Sequence, residues 1–166
     1  MSAGAEAGRL GGSVVRVESA EVLPLRTAVF RPLLDGVRPF RVVSDEEPES
    51  AHFGLRIGEG EIRGVASFLP ESPPDRPTIE GFRIFGFCIA PGLRERGLGA
   101  RLFSEAFRMH RESVDRRFVA WGWVTGSTID FWRSFGFRQR PATKQARSKH
   151  YVLLSGPSNE IGADPP

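Results

Sequence analysis

The chain has 166 residues, 40% hydrophobic and 26% charged, with a formal net charge of +3. That length holds one substantial apolar core and is short for two. One cysteine, a dispersed basic excess and no apolar run near twenty residues exclude a disulfide framework, a polybasic nucleic-acid arm and a helical membrane span.

Residues 1–12 are rich in Gly and Ala and are expected to be a disordered tail without the basic and apolar regions of a secretory peptide. Residues 13–18 alternate, with Val15 and Val17 opposite Val14, Arg16 and Glu18, which predicts a short strand. A helix follows with Leu25, Val29 and Leu33 along one face. Its start stays open between a first turn at Pro24 and a start at Ser19, which Pro24 would interrupt. Residues 32–50 break the pattern with Pro39, Pro48 and an acidic cluster of Asp45, Glu46, Glu47 and Glu49. This reads either as a solvated loop or as a substrate-side lid that attracts a cationic amine. Strands at 51–57 and 61–69, separated by Gly58-Glu59-Gly60, make a hairpin. The four prolines of residues 70–77 then make a stiff surface connection.

Residues 82–90 are apolar except for Arg83, so this strand should be covered on both sides. Pro91 and Gly92 end it, and Gly97 and Gly99 bracket Leu98 in a turn where main-chain N–H groups can approach a ligand. From Leu98 the period becomes helical: Leu98, Leu102, Ala106 and Met109 with Phe103 and Phe107 on one side, Arg101, Glu105, Arg108 and Glu112 on the other. His110 falls at the boundary. Strand, glycine turn and helix together have the layout of a phosphate cradle, with Arg94 and Arg96 beside the helix N-terminus. A tight turn without a ligand would need the same glycines.

Residues 117–124 alternate as a strand, with Val119, Trp121 and Trp123 on one face as core or as an aromatic wall for a substrate. A short helix at 128–134 ends at Gly136. Phe137 starts a strand that Pro141 should stop, residues 142–148 read as a polar loop, and residues 150–154 supply the last strand before a tail from Gly156. The order is β-α-β-β-β-α-β-α-β-β. This predicts an α/β chain with a twisted mixed sheet of about seven strands flanked by helices, a single domain over residues 13–155 and a flexible tail over 156–166.

Two motifs carry a resemblance. Arg94-Glu95-Arg96-Gly97-Leu98-Gly99, preceded by Ile89-Ala90-Pro91, is similar to the Arg/Gln-x-x-Gly-x-Gly/Ala acyl-CoA loop of the GCN5-related N-acetyltransferases. FWRSFGF at residues 131–137 resembles that family's Phe-Tyr-x-x-x-Gly-Phe. The resemblance implies the GNAT-like acyl-CoA N-acyltransferase fold, in which the fourth and fifth strands splay apart to admit the cofactor. It also implies acetyl-CoA as co-substrate, no metal, a cytoplasmic setting and compatibility with a homodimer. Residue by residue, it assigns the pyrophosphate to the main chain of Arg96, Gly97, Leu98, Gly99 and Ala100, with Arg94 at the same edge. The pantetheine arm falls to the main chain of Cys88, Ile89 and Ala90, and further cofactor contacts to Thr125 and Phe131. The oxyanion falls to the N–H near Ile89. Glu95 departs from the small residue usual there and should repel polyphosphate. Trp132 replaces a tyrosine that often protonates the departing thiolate, and indole has no suitable acidic proton.

Glu80, just before the central strand, is the best-placed carboxylate for removing a proton directly or through water; the bland reading is a strand-flanking charge. His52 and His150 are weaker base candidates, and Cys88 reads as a small buried hydrophobe. The three histidines and one cysteine lack metal-ligand spacing. The expected activity is transfer of an acetyl group to a primary amine of a small or amino-acid-like substrate, with no nucleic-acid or membrane partner. The alternatives are an acyl-CoA-binding protein that has lost the chemistry and a basic nucleic-acid module, for which no motif is present.

Overall fold

The computed structural model describes residues 11–33, 43–58, 60–115, 117–146 and 149–158. In chain order its elements are β1 (Gly12–Val17), α1 (Ser19–Phe30), β2 (Ala51–Ile57), β3 (Glu61–Pro70), β4 (Gly81–Ile89), α2 (Leu98–Ser113), β5 (Val119–Thr125), α3 (Ile129–Arg133), β6 (Arg138–Ala146) and β7 (Lys149–Ser158). The strands form one seven-stranded sheet in the order β1-β2-β3-β4-β5-β7-β6. β4 and β5 are parallel from Gly81↔Val119 to Arg83↔Trp121, whereas β1/β2, β5/β7 and β6/β7 are antiparallel, so the sheet is mixed as expected. No helix among the described residues is long and apolar enough to cross a membrane. The chain packs as two compact units, Met1–Ser67 with Gly86–Ser113, and Phe68–Phe85 with Val114–Pro166.

In the first unit, β1 starts at Gly12, one residue before the expected position and inside the segment read as a tail; residues 1–10 lie outside the described residues. α1 starts at Ser19 with Pro24 inside it, which decides the open start in favour of the interrupted helix. Pro24 removes a single intrahelical donor, and both it and Ala20, whose carbonyl loses that donor, are exposed to water. Glu21 accepts from the Glu18 N–H at 2.9 Å and ties down the first turn. The buried side of α1 is Val22, Arg26 and Val29; Leu25 is only half-buried. Val17, Val22, Val29, Val65 and Cys88 form a core cluster with Val15, Leu25, Phe30 and Ile62 packed against it. β2 is buried over its first five residues, and α2 packs against β1 and β2.

α2 buries Leu98, Leu102, Phe103, Ala106, Phe107 and His110. His110, expected at the boundary, is 3% exposed because it continues the stripe four residues after Ala106 and three after Phe107; its ring meets Phe53 edge-on at 6.3 Å. The outer face carries the i,i+4 pairs Arg101–Glu105 and Arg108–Glu112, both at 2.9 Å.

In the second unit, residues 118–122 are all buried, with Trp121 at the centre donating its indole N–H to the Glu71 carbonyl at 2.7 Å. Trp121 is therefore core, and Trp123 is half-buried. Two expectations fail here. β6 runs through Pro141 to Ala146, where a stop and a polar loop were expected, and β7 runs through Gly156 to Ser158, where a tail was expected. β6 is an edge strand, and its register with β7 shifts between Gln139 and Thr143, so proline's missing N–H breaks no required rung. β7 continues past Gly156 because it pairs on its other side with β5, as far as Ser158 opposite Val119. Residues 159–166 lie outside the described residues.

Candidate active site

The first unit holds most of the residues singled out for acyl-CoA. β4 is not a plain strand, because Gly86 has φ +57, a left-handed conformation in the strand interior that favours glycine. Beyond it Cys88, Ile89 and Ala90 are buried. The Ala90 N–H donates to the Arg63 carbonyl of β3 at 2.8 Å, and the Ala90 carbonyl accepts from Leu93 at 2.9 Å, so this residue's main chain is already engaged on both sides. Successive N–H groups of a strand point to opposite edges; with Ala90 turned to β3, the Ile89 N–H points away from β3. Burial pushes the Cys88 thiol up to about 11, against the opposing pull of Arg26 and Arg94, so it is protonated at neutral pH and unsuited to nucleophilic work.

After a 3-10 turn at Pro91–Leu93, the chain reaches Arg94, whose Nε donates to the Ile89 carbonyl at 3.4 Å. Glu95 (φ 63) and Gly97 (φ 74) are both left-handed, and residues 94–97 are exposed. Gly97 precedes α2, and its carbonyl accepts from Arg101 at 3.1 Å, closing the first helical turn. A glycine there has no side chain to accept from the first N–H groups of the helix, and a Cβ at Gly97 would meet nothing within 4 Å. The N–H groups of Leu98, Gly99 and Ala100 therefore have no side chain from residue 97 to cap them, and they lie at the positive end of a sixteen-residue helix. Arg94 and Arg96 add cationic charge. Glu95 opposes it, although its side chain is exposed and strongly screened.

Glu80 immediately precedes the first residue of β4, and its carbonyl accepts from Val119 at 3.0 Å. His52 is buried between Ser67 Oγ (2.7 Å) and the Asp45 carbonyl (3.3 Å), and burial, then Arg26 and Arg16, push its pKa down to about 4. Asp45 leaves the acidic lid: it is 7% exposed and ion-paired with fully buried Arg26, whereas Glu46, Glu47 and Glu49 are exposed.

In the second unit, Thr125 ends β5, and its carbonyl accepts from Thr128 Oγ1 at 2.9 Å in the turn that leads to α3. Phe131 is half-buried, edge-on to Trp132 at 5.0 Å and Phe135 at 5.2 Å. Trp132 is 6% exposed and packs on Phe137 at 5.5 Å, which makes it a core residue. The β5/β7 register places Tyr151 directly opposite Thr125, half-buried, with Lys144 Nζ 5.7 Å from its ring centroid and 4.7 Å from that of Trp123. His150, beside it in the chain, is exposed.

No protein-family model and no curated protein matches the sequence. Solved structures do match. An acyl-CoA N-acyltransferase from Pseudomonas aeruginosa aligns with 87% of this chain and 99% of its own at TM-score 0.68 and 15% identity. FeeM, an N-acyl amino acid synthase from uncultured soil microbes, aligns with 87% of this chain and 90% of its own at TM-score 0.63 and 14% identity. An acetyltransferase of the GNAT family from Streptococcus pneumoniae aligns with 88% of this chain and 98% of its own at TM-score 0.57 and 15% identity. With its seven-stranded mixed sheet and glycine turn before α2, the chain has the fold of the GNAT acyl-CoA N-acyltransferases.

Proposed function

We propose that this protein is an acyl-CoA-dependent N-acyltransferase that moves an acetyl group from acetyl-CoA to a primary amine of a small or amino-acid-like molecule. The observation that carries the reading is the turn between β4 and α2. Left-handed residues at Glu95 and Gly97 lead into a helix whose first N–H groups have no capping side chain from the glycine before them, with open space at Gly97 and exposed Arg94 and Arg96 in the same turn. That arrangement suits a pyrophosphate held by main-chain donors. The resemblance adds Thr125 and Phe131 as further contacts to the cofactor.

The amine nitrogen, unprotonated, attacks the thioester carbonyl carbon; the C–N bond forms, the C–S bond breaks, and the nitrogen's proton passes to solvent. Coenzyme A leaves as the thiolate and takes up a proton. The chain's own contribution is placement and charge stabilisation: the Ile89 N–H, turned away from β3, is the donor for the developing oxyanion. Ala90 offers no second donor, because its N–H is bonded to Arg63.

The test is incubation with acetyl-CoA and a panel of amines, reading free thiol and acylated product by mass. Thiol release matched by an amide product supports the reading. Saturable acetyl-CoA binding with no product from any amine would leave the cofactor site and refute the transfer.

A further inference from the structure

α1 buries an arginine in the middle of its apolar side. Arg26 is fully buried between Val22 and Val29, where an aliphatic residue would complete the face at lower desolvation cost. Its guanidinium meets three partners. Nε donates to the Gly86 carbonyl at 3.1 Å, Nη1 to the Asp45 carboxylate, and Nη2 to Ser67 Oγ at 2.5 Å. Ser67 Oγ lies 2.7 Å from His52 Nδ1. With His52 neutral, its Nδ1 accepts the Ser67 proton while Nε2–H donates to the Asp45 carbonyl, so both ends of the network return to Asp45.

At Gly86 the network meets β4, where the backbone is left-handed in the strand interior and its carbonyl accepts from Arg26 Nε. A Cβ at Gly86 would lie 2.4, 2.6 and 2.7 Å from Nε, Cζ and Nη2 of Arg26, so the guanidinium fills the space a side chain would take. Kink and arginine fit as one unit, and an aliphatic residue at 26 would fill the volume without holding the carbonyl.

We propose that Arg26, braced by Asp45 and Ser67, is a positioning residue: it holds the Gly86 kink and so sets the direction of residues 87–90. This rests on the acyltransferase reading, in which the Ile89 N–H, three residues past the kink, receives the oxyanion. A displacement of about 1 Å at such a donor costs on the order of 100-fold in rate.

The experiment compares wild type with Arg26→Met/Asp45→Asn, which removes both charges without orphaning one, and with Ser67→Ala, which removes a single brace. Three readouts are taken: single-turnover transfer at saturating acetyl-CoA, acetyl-CoA Kd, and amide hydrogen exchange at residues 87–89 against Phe53 and Leu55 in β2. The double variant should lose about 10- to 100-fold in single-turnover rate, a larger factor than its loss in acetyl-CoA affinity. Exchange at 87–89 should accelerate while that in β2 holds, and Ser67→Ala should shift both in the same direction by less. Unchanged exchange at 87–89 in either folded variant overturns the proposal, as does a rate loss matched by an equal loss of cofactor binding. If wild type shows no transfer, the acyltransferase reading falls, and the exchange comparison still decides whether Arg26 holds the kink. If the double variant does not fold, Ser67→Ala decides alone.

Discussion

Acidification should destabilise this protein through two buried histidines. His52 is 4% and His110 3% exposed, and each is pushed down to about 4 from an ordinary 6.5. Burial is the larger cause for both; Arg26 and Arg16 add to it for His52, and Arg16 for His110. His110 also sits in the last turn of α2, where the helix dipole favours a charged imidazole by about 0.3–1 kcal/mol. The net shift is downward, so desolvation wins. As pH falls below 6.5 the unfolded chain binds protons that the folded chain refuses until about pH 4. Stability is therefore intact above pH 6.5 and lost progressively from there to pH 4. At pH 4.5 the loss works out to about 2.5 kcal/mol for one such histidine, a large share of the ~5–15 kcal/mol that holds a domain folded.

Carboxylates titrate over part of the same window, so the informative quantity is a difference. His110→Leu removes the titrating group and keeps an apolar side chain on the α2 stripe next to Phe53. Urea unfolding of wild type and variant at pH 7, 6, 5 and 4.5 should show the variant gaining about 2.5 kcal/mol relative to wild type across the series, or ~1–2 M in midpoint. Carboxylates common to both proteins cancel. A stability difference constant to within about 0.5 kcal/mol from pH 7 to 4.5 would refute the claim that His110 is held neutral by burial.

Two further outcomes concern the site. Gly99→Trp should abolish or strongly weaken saturable acetyl-CoA binding in calorimetry while Gly11→Trp leaves it intact. Gly11 has open space around it, whereas Gly12 is unsuitable as the control because a Cβ there would lie 2.7 Å from the Arg56 carbonyl in the β1/β2 ladder; equal binding losses in the two folded variants would place the cofactor elsewhere. Trp132→Phe should keep most single-turnover transfer while losing ~1–3 kcal/mol of stability from its contacts with Phe137 and Phe131; selective loss of turnover in Tyr151→Phe, with folding and cofactor affinity unchanged, would identify Tyr151 as the proton donor to the thiolate.

The elements that local sequence marks strongly are the ones the structure repeats. The change from a nearly continuous apolar run at residues 82–90 to a 3.6-residue period at Leu98 marks a strand, a turn and an amphipathic helix; the strand was expected to be covered on both sides, but it is buried only towards its ends and half-buried at Arg83 and residues 85–87. His110 was readable too, since it stands on the stripe; its ionisable ring made the boundary look more natural than the core. Pro141 misled, and Pro24 left the start of α1 open, for a different reason. Proline's local cost is fixed, but whether it matters depends on where the missing donor would have pointed. That is water for α1, and an edge-strand irregularity for β6.

The site divides in the same way. The turn of residues 94–100 was legible because its function, if it cradles phosphate, is performed by the main chain, and glycine spacing writes main-chain conformation directly into sequence. Tyr151 came within reach of Thr125 only through the β5/β7 register, which joins residues 26 positions apart, and no local pattern encodes that. Arg26 is the sharper case. It is separated from Asp45 by 19 residues, from Ser67 by 41 and from Gly86 by 60, so each bond was invisible locally. Two faint signals existed: a charged residue between Val22 and Val29 on the buried side of a helix, and an isolated glycine inside an apolar strand. Either alone has an ordinary explanation. Their coincidence in one place has a narrower one, because a buried guanidinium demands acceptors and the Gly86 carbonyl is one of them.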